Sequence, residues 1–202
     1  MKRGLLVDFG GVLTTNVFES FRAFCLDEGL EAEAFLNLFR KDPEARAELR
    51  EVETGRMDED EFARRIGRRM GVRQTEGLID RLFARIRPDG AMVAAVKRAK
   101  ADGIRTGLVS NSMGSGRYDR EAFPELFDGV VISGEVGLHK PEPEIFRLGA
   151  DSVELPPEEC VFVDDLRENC EGAEAVGMTA ILHRGADSTL PALERLLGVE
   201  LR

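Results

Sequence analysis

What most constrains this chain is an alternation. Short apolar runs that end in polar or glycine turns recur at 4–7, 104–109, 130–133, 160–163 and 179–182. Between them lie stretches with apolar residues at three- and four-residue spacing, at 91–101, 142–150, 167–176 and 189–197, and that periodicity is helical. Buried runs separated by helices predict an α/β fold, a doubly wound parallel Rossmann-like sheet covered on both faces. Ligands of such sheets bind beyond the carboxyl ends of the strands.

From residue 16 to 88 the alternation stops. Amphipathic helical segments follow one another there, separated by Asp42-Pro43, Thr54-Gly55 and Gly71, with no convincing strand. The expected organisation is a core domain of residues 1–15 and 89–202, interrupted after its first strand by a small inserted all-helical cap domain, 16–88. Seven of the twelve phenylalanines fall in the insert: Phe18, Phe21, Phe24, Phe35, Phe39, Phe62 and Phe83. A periodic aromatic face is core by default, so packing is the expected role, with an apolar substrate cleft as the alternative.

Charge narrows the functions further. The net charge is −10 and the pI about 4.9, so nothing supports a nonspecific grip on nucleic acid or on an anionic membrane. The insert is nearly neutral, and most of the acidity belongs to the sheet domain. Cys25, Cys160 and Cys170 form no CxxC pair and cannot all pair with one another, which fits packing residues in a reducing cytoplasm. The N-terminal MKRGLLV is broken as a leader by Asp8 and Gly10-Gly11, and no stretch reaches the length of a membrane span.

Four polar positions fall at the ends of separately predicted strands. Asp8 follows the first strand, Ser110-Asn111 closes the second, Lys140 lies beyond the third and Asp164-Asp165 ends the fourth. Singly these read as turn or capping residues. Together they would meet in one cleft. Acidic groups there suit a hard cation such as Mg²⁺. A hydroxyl, an amide and an ammonium suit phosphate oxygens, and one carboxylate remains as a nucleophile.

In this order, VDFGGVL, LVSNS, GLHKPEPEIF and FVDDLRENCEGAEAVGM resemble the four motifs of the haloacid dehalogenase superfamily, with its helical cap inserted after the first. The second half is most similar to the phosphatase-like domain at the N-terminus of soluble epoxide hydrolases. The resemblance implies a Mg²⁺-dependent phosphatase acting on a small phosphorylated metabolite, as monomer or homodimer. By the same resemblance Asp8 becomes an aspartyl phosphate, Ser110, Asn111 and Lys140 hold the phosphate, and Lys140 also stabilises charge. Asp8, the Gly10 carbonyl and Asp165 ligate the metal, and Asp164 supports it from an outer position.

Gly10 departs from the pattern. Phosphatases of the superfamily mostly carry there a second Asp that serves as general acid and base, help worth about 10²- to 10⁴-fold. Three readings stay open: a phosphatase with an easy leaving group or a borrowed acid, a C–X bond hydrolase of dehalogenase or phosphonatase type, or a non-catalytic binder of a phosphorylated ligand or partner. The phosphonatases need a cap lysine, and Lys41 is the insert's only one. His139, beside Lys140, is either a loop residue or the missing acid. His183 reads as ordinary surface or edge packing. Arg22 and Arg40 could reach an anionic substrate, although most arginines face solvent.

Overall fold

The computed structural model describes residues 1–114 and 116–202. Five parallel strands, β1 (Gly4–Val7), β2 (Arg105–Ser110), β3 (Gly129–Ile132), β4 (Cys160–Asp164) and β5 (Thr179–Leu182), form one sheet in the order β3-β2-β1-β4-β5. The central β1 is fully buried because both faces are covered: Leu5 and Val7 point into one apolar cluster and Leu6 into the other. The strand ends shift slightly from the sequence reading. Strand β2 runs one residue later, and Ser133 leaves β3 to start a short helix.

The insert is helical, as its periodicity predicts: α1 (Val17–Asp27), α2 (Ala34–Lys41), α3 (Pro43–Glu53), α4 (Glu59–Met70) and α5 (Leu78–Phe83). Side-chain caps start α1, α3 and α4. Asn16 accepts from the Phe18 amide, Asp42 from Glu44 and Ala45, and Asp58 from Asp60 and Glu61, each satisfying amides that a helix N-terminus leaves unpaired. These helices enclose a core of their own around Phe21, Phe24, Phe35, Phe62, Ile66 and Leu78.

In the sheet domain follow α6 (Gly90–Ala101), α7 (Phe123–Leu126), α8 (Ser133–Val136), α9 (Pro143–Ser152), α10 (Arg167–Ala175) and α11 (Ala186–Leu197). Helices α6, α7 and α11 cover one face of the sheet, and α9 and α10 the other. Helix α9 lies close on β2 at Gly149, where an added Cβ would sit 2.6 Å from Val109 Cγ2.

Chain crossings into and out of the insert run side by side. Thr14 bridges Pro88, the Thr15 amide donates to the Arg87 carbonyl at 2.8 Å and the Asp89 amide to that of Leu13 at 2.9 Å. On the far side the end of α3 meets the sheet domain, where the Ser133 hydroxyl donates to the Glu53 carbonyl and Arg50 pairs with Glu142. Among the described residues no helix is long and apolar enough to cross a membrane.

Candidate active site

The topology gathers the chemistry at one sheet edge. β1 and β4 are neighbours in register, Val7 opposite Val163, so the residues just past them, Asp8 and Asp164-Asp165, emerge together. A carboxylate oxygen from each of the three lies within 4.8 Å of the others. Gly11 makes the turn beside them with φ +76°, and a Cβ there would come 2.5 Å from Asp165 Oδ2. The glycine is thus required twice, by its left-handed backbone and by the space the carboxylate occupies.

Lys140 is buried at 1% exposure and joins two of the acids, its Nζ 2.8 Å from Asp8 Oδ1 and 2.7 Å from Asp164 Oδ2. Asp164 is engaged on every side, accepting also from the Leu166 amide at 2.8 Å and from Asn169 Nδ2 at 3.0 Å. Its oxygens are spent on the protein. Asp8 and Asp165 keep free oxygen facing the cleft, which their side chains line.

Electrostatics follow from this crowding. Burial, then repulsion from Asp164 and Asp165, raises the Asp8 carboxyl to about 7 against the pull of Lys140. Burial and Asp164 raise Asp165 to about 6, again opposed by Lys140. For Lys140, burial alone would lower the pKa, but Asp164 and Asp8 overcome it and hold the ammonium charged well above its usual range. Three crowded carboxylates and a single ammonium leave an excess of negative charge that a hard divalent cation with oxygen ligands would neutralise.

Ser110 ends β2, the neighbour of β1 on the side away from β4, and with Asn111 lines the same cleft as the acids. The Ser110 hydroxyl bonds the Tyr118 phenol at 3.0 Å, and burial pushes that phenol up to about 12. Asn111 spends its side chain on the backbone of Lys140, accepting from its amide at 2.9 Å and donating to its carbonyl at 3.2 Å. Its amide group thereby fixes the Lys140 backbone, and its Nδ2 also lies 3.1 Å from His139 Nε2. Gly10, also on the cleft wall, has an ordinary backbone conformation, with Val17 Cγ1 3.1 Å from where a Cβ would stand.

Above this polar floor the cleft opens to about 1070 Å³, walled on the insert side by Phe18, Phe21, Phe35, Phe39 and Phe83. The rings contact one another, Phe35 and Phe39 at 4.8 Å between centroids and Phe21 and Phe35 at 4.9 Å. The sequence reading expected packing for the seven insert phenylalanines and kept an apolar cleft as the alternative. Five of them serve both purposes, because the bundle core of so small an insert lies only one side chain beneath its cleft face. Arg22 and Arg40 border the cleft and share Glu33 as partner. His183 is buried and bonded to Thr189 Oγ1 at 2.9 Å, an internal structural role, and burial lowers its pKa. All three cysteines are buried and free.

Sequence reasoning missed Tyr118, Asn169 and Glu53. Tyr118, the chain's only tyrosine, follows a glycine-rich loop with no periodicity to place it. Asn169 was legible, since it falls in the first turn of the helix after Asp164-Asp165. Glu53 has no local signal, because only tertiary packing brings the end of α3 to the cleft.

The family model for haloacid dehalogenase-like hydrolases matches residues 2–177. A bifunctional epoxide hydrolase 2 from Sus scrofa is 27% identical over 98% of this chain, which spans only 39% of that protein's length. A sesquiterpene phosphatase from Aspergillus oryzae is 28% identical over 73% of this chain and 78% of its own. A wild-type HAD family enzyme from Bacteroides thetaiotaomicron, solved with magnesium and inorganic phosphate, shares the fold with a TM-score of 0.63. It is 21% identical, over 90% of this chain and 93% of its own. With its motifs, its parallel sheet and a family match over most of its length, the chain belongs to the haloacid dehalogenase-like hydrolases.

Proposed function

We propose that the protein is a Mg²⁺-dependent phosphatase that works through an aspartyl phosphate on Asp8, with residues 16–88 as a cap domain over a core of 1–15 and 89–202. The observation that carries this reading is the environment of Asp8: a carboxylate at a strand tip, 2.8 Å from a buried ammonium and within reach of two further acids. An isolated cleft-floor carboxylate would be repelled by a phosphate dianion. Here Lys140 offsets that repulsion, and Asp8, Asp165 and the Gly10 carbonyl would hold Mg²⁺, which supplies further charge neutralisation when bound.

In this mechanism Ser110, Asn111 and Lys140 hold the phosphoryl oxygens, Asn111 also keeps Lys140 in place, and Asp164 keeps its ammonium aimed at the cleft. Asp8 attacks phosphorus in line, and water then hydrolyses the acyl phosphate. The magnesium and phosphate bound by the Bacteroides thetaiotaomicron enzyme support the cofactor and the ligand class. The aromatic wall and the cleft volume suit a monophosphate whose organic part is apolar, as the sesquiterpene phosphatase relative would lead one to expect.

The test is hydrolysis of p-nitrophenyl phosphate with and without Mg²⁺, by wild type and by Asp8→Asn. Metal-dependent release that the variant lacks supports the reading. No release by a folded wild type rejects it in favour of C–X bond hydrolysis or ligand binding.

A further inference from the structure

We propose that Glu53 and His139 together supply the proton that Gly10 cannot, an inference that rests on the phosphatase reading. His139 Nε2 lies 2.6 Å from Glu53 Oε2 and 3.1 Å from Asn111 Nδ2. One ring nitrogen thus faces a carboxylate, which asks it to donate, and an amide N–H, which asks it to accept. It cannot serve both, so the short contact to Glu53 is the one that holds a proton. The other ring nitrogen, Nδ1, is buried with no hydrogen-bond partner among the described residues. A buried ring nitrogen without a partner calls for an explanation, and proton handling is one.

Position agrees with this assignment. Both side chains line the cleft, 17% and 13% exposed. His139 precedes Lys140 and contacts Asn111, the residue that fixes the Lys140 backbone, so it stands beside the phosphate floor. Glu53 comes from the last turn of α3 in the insert, the side from which the organic part of the substrate would project. On the same elements as the pair lie Lys140, next in the chain to His139, and the Arg50–Glu142 ion pair of α3 and the loop before α9.

In the first step the Asp8 oxygen bonds to phosphorus, the P–O ester bond breaks, and the departing oxygen takes the Nε2 proton of a His139 imidazolium held against Glu53. It leaves as the alcohol, while a neutral imidazole protonated on Nδ1 and the Glu53 carboxylate remain. In the second step a water oxygen attacks phosphorus, its proton returns to the pair, and the P–O bond to Asp8 breaks to release phosphate. No other reactant is needed.

The experiment compares kcat for p-nitrophenyl phosphate with kcat for a simple alkyl phosphate in wild type, His139→Gln and Glu53→Gln. The phenolate departs without a proton, whereas the alkoxide does not. Each variant is expected to lose at least about tenfold more on the alkyl than on the aryl ester, and Gly10→Asp added to His139→Gln is expected to recover part of the alkyl rate. Equal losses on the two esters would assign the pair to holding the insert against the core and overturn the proposal, as would an undiminished alkyl rate in both variants. Residual aryl turnover reports that each variant is folded. A wild type inactive on both esters rejects the phosphatase reading itself.

Discussion

Replacing Lys140 by Met removes the ammonium that joins Asp8 and Asp164 while keeping its apolar stem. Lys140 Nζ touches Asp8 at 2.8 Å and Asp164 at 2.7 Å, and all three side chains are buried or nearly so. Breaking a buried pair by removing one partner costs about 3–5 kcal/mol, because the abandoned charge stays in low dielectric. Two charge-assisted bonds, at about 1.5–3 kcal/mol each, give the same range. In a chain of this size that is a fall of roughly 6–20 °C in Tm.

The penalty should depend on pH in a stated direction. Asp8, already raised to about 7, loses the influence that lowers it and takes up a proton more readily in the variant. Asp164 keeps its bonds from Asn169 and the Leu166 amide and stays the costly charge. Urea unfolding of metal-free wild type and variant should therefore show the full difference near about pH 8 and a clearly smaller one near about pH 5. A difference below about 1 kcal/mol at the higher pH would refute the view that Lys140 neutralises this cluster.

Further outcomes follow from the same geometry. Mg²⁺ should raise Tm more at about pH 8 than at about pH 5, because Asp8 and Asp165, raised to about 7 and about 6, stabilise the metal-free fold while protonated and lose that contribution as pH rises through those values. Equal shifts at both would contradict it. Gly11→Ala should remove metal-dependent stabilisation, since its Cβ would lie 2.5 Å from Asp165 Oδ2 at a φ of +76°; calorimetric titration with Mg²⁺ checks this. Phe62→Ala should cost about 3–5 kcal/mol in urea unfolding, as Phe62 is wholly buried in the insert core.

The sheet was legible because its strands are buried on both faces and so appear as unbroken apolar runs, bounded by helices of different period. Asp8, Ser110, Lys140 and Asp165 were legible for a topological reason: each ends or follows a strand, and a parallel sheet brings those ends to one edge. Two aspects of the site were not. The identity of the cleft wall depends on which side of a helix faces the core, and in the insert Phe35 and Phe39 meet both the bundle and the cleft. Partner choice is the other. Nothing in NSMGSGRY or in the end of α3 tells that Ser110 will meet Tyr118, or that His139 will meet Glu53 across 86 residues of chain. Asn111 shows the same limit, since its place after β2 was evident but its bonds to the Lys140 backbone were not.

The account rests on Asp8 carrying the phosphoryl group. Its most direct test is an acid-quenched reaction of the Mg²⁺-loaded protein with p-nitrophenyl phosphate, followed by peptide mass analysis. A peptide containing Asp8 that is heavier by one phosphoryl group, with no such species in Asp8→Asn, is the predicted result. Turnover of the ester with no phosphoryl group on that peptide, or with one elsewhere, would contradict the account.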